Sequence, residues 1–251
     1  MNSLFLVVYI CGFIFYTEAS PVKLPKGFIQ CKQTDPQFQK CVNDAVNEAM
    51  PELVKGVPRF ALPPIDPLRI TSLIIDQGHG PVAIKLNFTD LDIHGIGTGT
   101  VKDLHVDIEN KEIKLKIDLA EPCVLDSTYS ILGKVLILPI SGTGHSKYTL
   151  SGFKAEATTK YKEVEKDGEI YWSLDHMDFD FSTTKLHITM ENLFNGDKAL
   201  GDNMNVFLNE NWPEILGELK GAFRTAFASA FSEIAKRFFD RVPINQVFPK
   251  Q

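Results

Sequence analysis

The sequence predicts an α+β fold: a long C-terminal helix wrapped by a strongly curved antiparallel β-sheet, with a short helix near the N-terminus. Three observations predict it. From Val206 to Phe239, large apolar residues recur at steps of three or four, the period of one helix face. From Arg69 to Thr189, apolar residues instead alternate with polar ones, the period of a half-buried strand. Finally, an unbroken helix over that C-terminal run would be roughly 45 to 55 Å long at ~1.5 Å per residue. Side chains so large on so long a helix require an enclosing layer, and only the strands can supply it.

Within the C-terminal run, Phe223, Phe227 and Phe231 are four apart and share one stripe. Ala222, Ala226, Ala228, Ala230 and Ala235 lie between and after them, strong helix formers with little bulk. Pro213 either kinks the helix or occupies a first turn after a break near Asn211. Asp240, Arg241 and Pro243 mark its end.

The strand region reads in order. Val82, Ile84, Leu86 and Phe88 alternate with polar neighbours, and the apolar parity then slips by one to Leu91 and Ile93. A bulge near Thr89 and Asp90 accounts for the slip. Leu104, Val106 and Ile108 face one way, and Ile113, Leu115, Ile117 and Leu119 follow after a turn at Asn110 and Lys111. The Lys166–Glu169 segment carries a hairpin turn signal, Asp-Gly, ahead of Ile170, Trp172 and Leu174. A second slip precedes Met177, Phe179 and Phe181, and Leu186, Ile188 and Met190 close the series. Tight hairpins and alternation imply antiparallel pairing with one wet face and one apolar face.

Ahead of the strands, residues 1–19 read as a secretory leader with a short apolar stretch, Leu4 to Phe15, leaving residues 20–251 as one domain. The stretch is too short for a comfortable membrane span. The remainder is expected to be secreted and extracellular. Cys11 falls in the leader, so Cys31 and Cys41 are expected to pair in an oxidising compartment, leaving Cys123 either as a buried structural thiol or, if exposed, as a partner for an intermolecular disulfide. Phe38, Cys41, Val42, Ala45, Ala49 and Leu53 have helical spacing, with Asp35 as the expected cap, Pro36 in the first turn and Gly56 as the stop. The composition, 44% hydrophobic and 23% charged, is that of a globular domain. A net charge of −6 argues against nucleic acid or an anionic membrane as the main partner. Asn87-Phe88-Thr89 is a glycosylation sequon, and Asn87 lies on the polar, outward parity of its strand.

Catalytic and metal chemistry finds little footing. The six histidines are scattered, with no HExxH motif and no Cys/His cluster at zinc spacing. Asp175, His176, Asp178 and Asp180 form the densest polar group and read as the wet side of a strand. Gly95, Gly97 and Gly99 lack the GxGxxG spacing and precede a strand, so they serve a turn rather than a phosphate. No nucleophile elbow is present around Ser141. No cofactor and no metal is expected, and the chain reads as a binder rather than an enzyme.

Seven segments, in order, resemble the takeout and juvenile-hormone-binding protein family of insects: residues 31–41, 64–68, 93–95, 148–152, 193–201, 205–212 and 248–249. The resemblance implies a tubular lipid-binding fold, with a deep apolar cavity for an isoprenoid, fatty-acyl or related ligand. Hormone-binding members carry a second disulfide, which Cys123 has no later partner to form. That places the chain on the takeout-like side. The expected function is a secreted, monomeric carrier of a small hydrophobic ligand, without stable membrane insertion. The rival is a secreted interaction protein with a vestigial cavity, whose surface meets an extracellular receptor or carrier partner. Lipid transfer between membranes would need a basic or apolar rim that the sequence does not display. The expected ligand-facing residues are Leu86, Phe88, Leu115, Ile117, Trp172 and Phe179, with Phe223, Phe227 and Phe231 on the helix.

Overall fold

The computed structural model describes residue 24 and residues 28–250. The expected leader, residues 1–19, lies outside the described residues. Among the described residues the alternating stretch forms nine strands: β1 (Leu68–Gln77), β2 (Val82–His94), β3 (Gly99–Asp107), β4 (Glu112–Leu119), β5 (Cys123–Val135), β6 (Leu138–Ser151), β7 (Lys154–Lys166), β8 (Glu169–Ser182) and β9 (Lys185–Met190). All pairings are antiparallel. They form two sheets rather than one continuous sheet, in the orders β1-β2-β5-β6-β9 and β3-β4-β7-β8. Every tight hairpin stays within its sheet. The chain changes sheet only at the β2–β3, β4–β5, β6–β7 and β8–β9 connections, which gather at a common waist.

Both parity slips are real. The register of β2 against β5 shifts between Thr89 and Asp92, where Asp90 has φ 51°, so Phe88 and Leu91 are both buried. The β7–β8 register shifts between Thr159 and Tyr161, where β8 supplies the extra residue. The Asp-Gly turn has both central residues at positive φ, Asp167 at 52° and Gly168 at 77°, which suits the twist of the strands it joins. The glycine-rich segment makes a turn in which the Asp66 carboxylate accepts from the backbone N–H groups of Gly95 and Gly97.

Four helices complete the fold: α1 (Phe38–Lys55), α2 (Lys198–Glu210), α3 (Trp212–Phe239) and the short α4 (Ile244–Val247). The C-terminal run is therefore two helices separated at Asn211, with Pro213 in the first turn of the second. At 28 residues α3 is about 42 Å long. Asp35 does not cap α1. Its carboxylate accepts from Gln37 N in the turn before the helix, which starts at Phe38. Asp197 does cap α2, accepting from Leu200 N. Cys31 and Cys41 form a disulfide that ties the N-terminal segment to α1, and Cys123 is free and buried.

The open edges of the sheets are closed by helices. Along β3, Gln39, Asn43 and Asn47 of α1 each lay a side-chain amide on one residue: Val106, Leu104 and Val101. In each pair the amide NH2 donates to the strand carbonyl and the amide oxygen accepts from the same residue's N–H. On α2, Asn205 and Asn209 do the same to Met190 and Ile188 of β9. The remaining edges, β1 and β8, run beside α3, where Arg224 Nε donates to Phe179 O. One hydrophobic core lies between α3 and the sheets, and a second sits at the far end of the β3-β4-β7-β8 sheet.

Replacing Asn209 by Ala leaves Ile188 N–H and C=O without partners at a partly buried edge. The expected loss is about 1–3 kcal/mol of unfolding free energy, read from urea midpoints. An unchanged midpoint would show that water substitutes for the amide at no cost.

Candidate functional site

Between α3 and the two sheets lies an apolar cavity of about 360 Å3. Its lining on α3 runs from Ile215 to Ala235, about 30 Å along the helix axis. At one end it reaches Ile84, Val135 and Ile140, beside the outer hairpins of the first sheet. It then passes the waist at Ile93, Ile96, Leu119 and Phe153, and continues beneath Leu115, Ile117 and Phe179 of the second sheet.

Of the residues expected to face a ligand, Leu86, Leu115, Ile117, Phe179, Phe223, Phe227 and Phe231 line this cavity. The helix rings form a continuous stack, with Phe223–Phe227 centroids 6.1 Å apart and Phe227–Phe231 5.5 Å apart. Phe88 is not in the lining. Fully buried, it packs behind the wall against Tyr148 and Phe223.

Trp172 is a correction. It stacks on Tyr161 at 3.8 Å and on Phe239 at 5.9 Å, with Phe248 at 5.5 Å and Phe38 next in the chain of rings. This aromatic group belongs to the second core together with Cys31. It plugs the far end of the tube instead of walling the cavity. Alternation, with the slip between Leu174 and Met177, gives Trp172 the same inward face as Phe179. It cannot say at what depth the interior changes from hollow to filled.

The sequence reading missed β5 as a contributor. Its inward parity reads Cys123, Leu125, Ser127, Tyr129 and Ile131, and the serine breaks the apolar signal. Ser127 directly faces Ser146 on β6, and the two hydroxyls lie 3.1 Å apart, so each satisfies the other in the core. Cys123, Leu125 and Ile131 all line the cavity. Ala155 and Ala157, also in the lining, keep the opposite wall thin.

Polar groups in the lining are few. Tyr148 donates its hydroxyl to Met190 Sδ at 3.6 Å, and burial pushes its ionisation far up. The Cys123 thiol is pushed up to about 12 by burial, with the nearby Asp66 carboxylate adding to it. Glu156 touches the lining, but its carboxylate is exposed and pairs with Lys116 at 3.4 Å. No charge therefore projects into the cavity from the residues that line it. Elsewhere, the acidic cluster on β8 is spent on local pairs: Asp175 with Lys162, Asp178 with His176, and Asp180 with Lys220 and Arg224. Among the described residues no group of three or more His, Cys, Asp or Glu side chains is placed to hold a metal ion.

The model of the haemolymph juvenile hormone binding protein (JHBP) family matches residues 5–249. The chain belongs to this family. Among JHBP relatives, it is 25% identical over 243 residues to the circadian clock-controlled protein daywake of Drosophila melanogaster, covering 90% of this chain and 89% of that one. It is 20% identical over 217 residues to a putative beta-carotene-binding protein of Schistocerca gregaria, with 86% of each covered. The crystal structure of Epiphyas postvittana Takeout 1 superposes with a TM-score of 0.75 at 24% identity, over 87% of this chain and 98% of that one. That match carries the tubular architecture of the JHBP fold to this chain. Among its described residues, no helix is long and apolar enough to cross a membrane.

Plug and wall should respond differently to truncation. Trp172→Ala opens a void in a filled core and should cost about 3–5 kcal/mol, with little change in the affinity of a fluorescent lipid probe. Phe227→Ala enlarges an existing cavity, so it should cost less stability and shift probe affinity or chain-length preference. Denaturant unfolding and probe titration separate the two. A large stability loss at Phe227 with unchanged probe affinity would make the ring plain core.

Burial favours the neutral forms of Cys123 and Tyr129, each raised to about 12, so the unfolded chain releases these protons first as pH rises. Stability is therefore intact below about pH 8–9 and falls progressively as pH climbs towards 12. Alkylation of Cys123 at pH 8 should be slow in the native protein and fast in urea. A native rate equal to the unfolded rate would contradict the buried position.

Proposed function

We propose that this JHBP-family protein is a secreted carrier whose cavity takes an uncharged, elongated hydrophobic ligand. The observation that carries the reading is the lining: apolar side chains along about 30 Å of α3, with one hydroxyl and one thiol as the buried polar groups. Removing apolar ligand surface from water contributes ~25 cal/mol per Å2, without directional partners. An ionised head group drawn into this space would lose its hydration and meet no counter-charge, a cost of several kcal/mol. A neutral ester, alcohol, ketone or hydrocarbon avoids that cost. The Tyr148 hydroxyl and the Cys123 thiol supply the two weak polar contacts on offer inside. The relative described as binding beta-carotene, a hydrocarbon, supports the same ligand class. The expected leader and the disulfide support secretion, and the family's name supports carriage in haemolymph. Binding by partition and shape asks for no catalytic group, and the proposed role is not enzymatic.

The test compares a long-chain fatty acid with its methyl ester by displacement of a fluorescent probe. The ester is expected to bind at least ten-fold more tightly at pH 8. The acid should gain affinity as pH falls through its own ionisation, while the ester stays flat. Tighter binding of the carboxylate at pH 8 would refute the neutral-ligand reading. No displacement by any lipid would favour the rival, in which the surface acts and the cavity is vestigial.

A further inference from the structure

The outer face of the β1-β2-β5-β6-β9 sheet carries a second concavity, a groove of about 470 Å3. Two cross-strand rows build it. One row is Ile74, Asn87, Ser130 and Thr143, and the next contains Lys85, Leu132 and Ser141. Asn195, after β9, forms a side wall. The chemistry is mixed in a specific way. Hydroxyls, an amide and an ammonium line the floor, yet Ile74 and Leu132 stand 53% and 70% exposed on a face that should be wet. Neither apolar residue has a role in the interior.

We propose that this groove seats an N-linked glycan carried by Asn87. The sequon Asn87-Phe88-Thr89 opens directly into it. Asn87 Oδ1 accepts a long 3.4 Å bond from Ser72, while Nδ2, the atom that glycosylation modifies, has no hydrogen-bond partner among the described residues. In the transfer, C1 of N-acetylglucosamine bonds to Nδ2 and its C1–O bond to a lipid diphosphate breaks. The diphosphate leaves with the electron pair, and Nδ2 gives up one proton. Transfer precedes folding, because Phe88 between the two sequon residues is fully buried in the folded protein. Once the sheet forms, the first sugars lie along the groove. Their apolar C–H faces cover Ile74 and Leu132, and their hydroxyls meet Ser130, Ser141, Thr143 and Asn195. The glycan thereby masks an apolar patch on an otherwise polar sheet face.

The inference rests on the secretion part of the proposed function but not on ligand binding. The full chain is expressed in insect cells with its own first nineteen residues, or with an established secretion leader in their place. Mass spectrometry of the Asn87 peptide reads occupancy. Peptide-N-glycosidase then reads shielding, on native and on denatured protein. Occupied Asn87 is expected, with native release at least ten-fold slower than denatured release. The double variant Ile74→Ser, Leu132→Ser, exposed at both sites, should leave occupancy unchanged and speed native release several-fold. A reference glycan at the exposed Asn110 turn, created by Glu112→Thr with Thr89→Ala, should be released quickly from the native protein. Failure of the native leader alone, with Asn87 glycosylated under the substitute leader, would refute secretion and leave the groove assignment standing. An unmodified Asn87 in secreted protein would overturn the proposal. So would native release as fast as from the Asn110 site, or release unaffected by the double variant.

Discussion

The fold depends on how four open sheet edges are closed, and the interaction that closes two of them is a side-chain amide lying on a peptide group. A helix advances about 6 Å over four residues, and a strand advances about 6.6 Å over two. Amides at i and i+4 therefore meet alternate peptides of a strand lying alongside. Asn205 and Asn209 meet Met190 and Ile188 in that way, and Gln39 and Asn43 meet Val106 and Leu104. Asn47 reaches Val101, three residues further along, where the irregular β3–β4 register absorbs the odd residue. Each amide turns one N–H and its oxygen to the strand, as a neighbouring strand would, and the amide nitrogens of Asn43, Asn47, Asn205 and Asn209 also donate to the helix carbonyl four residues back. Sheets with bare edges would invite pairing with another chain. Here α1 and α2 act as substitute strands, which lets two short sheets curve around α3.

The cavity follows from this arrangement. With the edges held by helices, the sheets need not approach α3 closely enough to fill the space between them. Ala155 and Ala157 on one side and the stacked phenylalanines on the other leave a gap whose buried polar groups are the Tyr148 hydroxyl and the Cys123 thiol, too few to hold a water chain. The far end of the tube is treated differently. There Tyr161, Trp172, Phe239 and Phe248 interlock, and the Cys31–Cys41 disulfide holds the N-terminal segment against them. One molecule thus contains both a solid core and a hollow one, built from the same residue types.

That contrast explains which parts were legible in the sequence. Period and parity identified β2, β3, β4, β8 and β9, both register slips, the Asp-Gly hairpin and the long helix, because each depends on local spacing. Leu86, Leu115, Ile117, Phe179 and the ring stripe followed from inward parity. Trp172 shares that parity, but its place in the plug depends on α4 and the N-terminal segment, more than seventy and one hundred residues away in sequence. The division into two sheets was equally hidden, since it depends on which strands pair across the waist. The amide spacing on α1 and α2 was visible all along. It carries meaning only when an open strand edge lies beside it. Ser127 concealed β5 because its partner, Ser146, lies on another strand.

The waist has a consequence for how such a tube changes over time. All four strand connections between the sheets pass through it, whereas the four hairpin turns sit at the outer ends. A residue inserted at the waist would disturb both sheets at once. Two residues added to each arm of an outer hairpin keep every side chain on its original face and extend that sheet by about 7 Å. Reach is therefore adjustable at the tips while the middle stays fixed. A lineage could lengthen the cavity by hairpin growth alone, with no redesign of the wall.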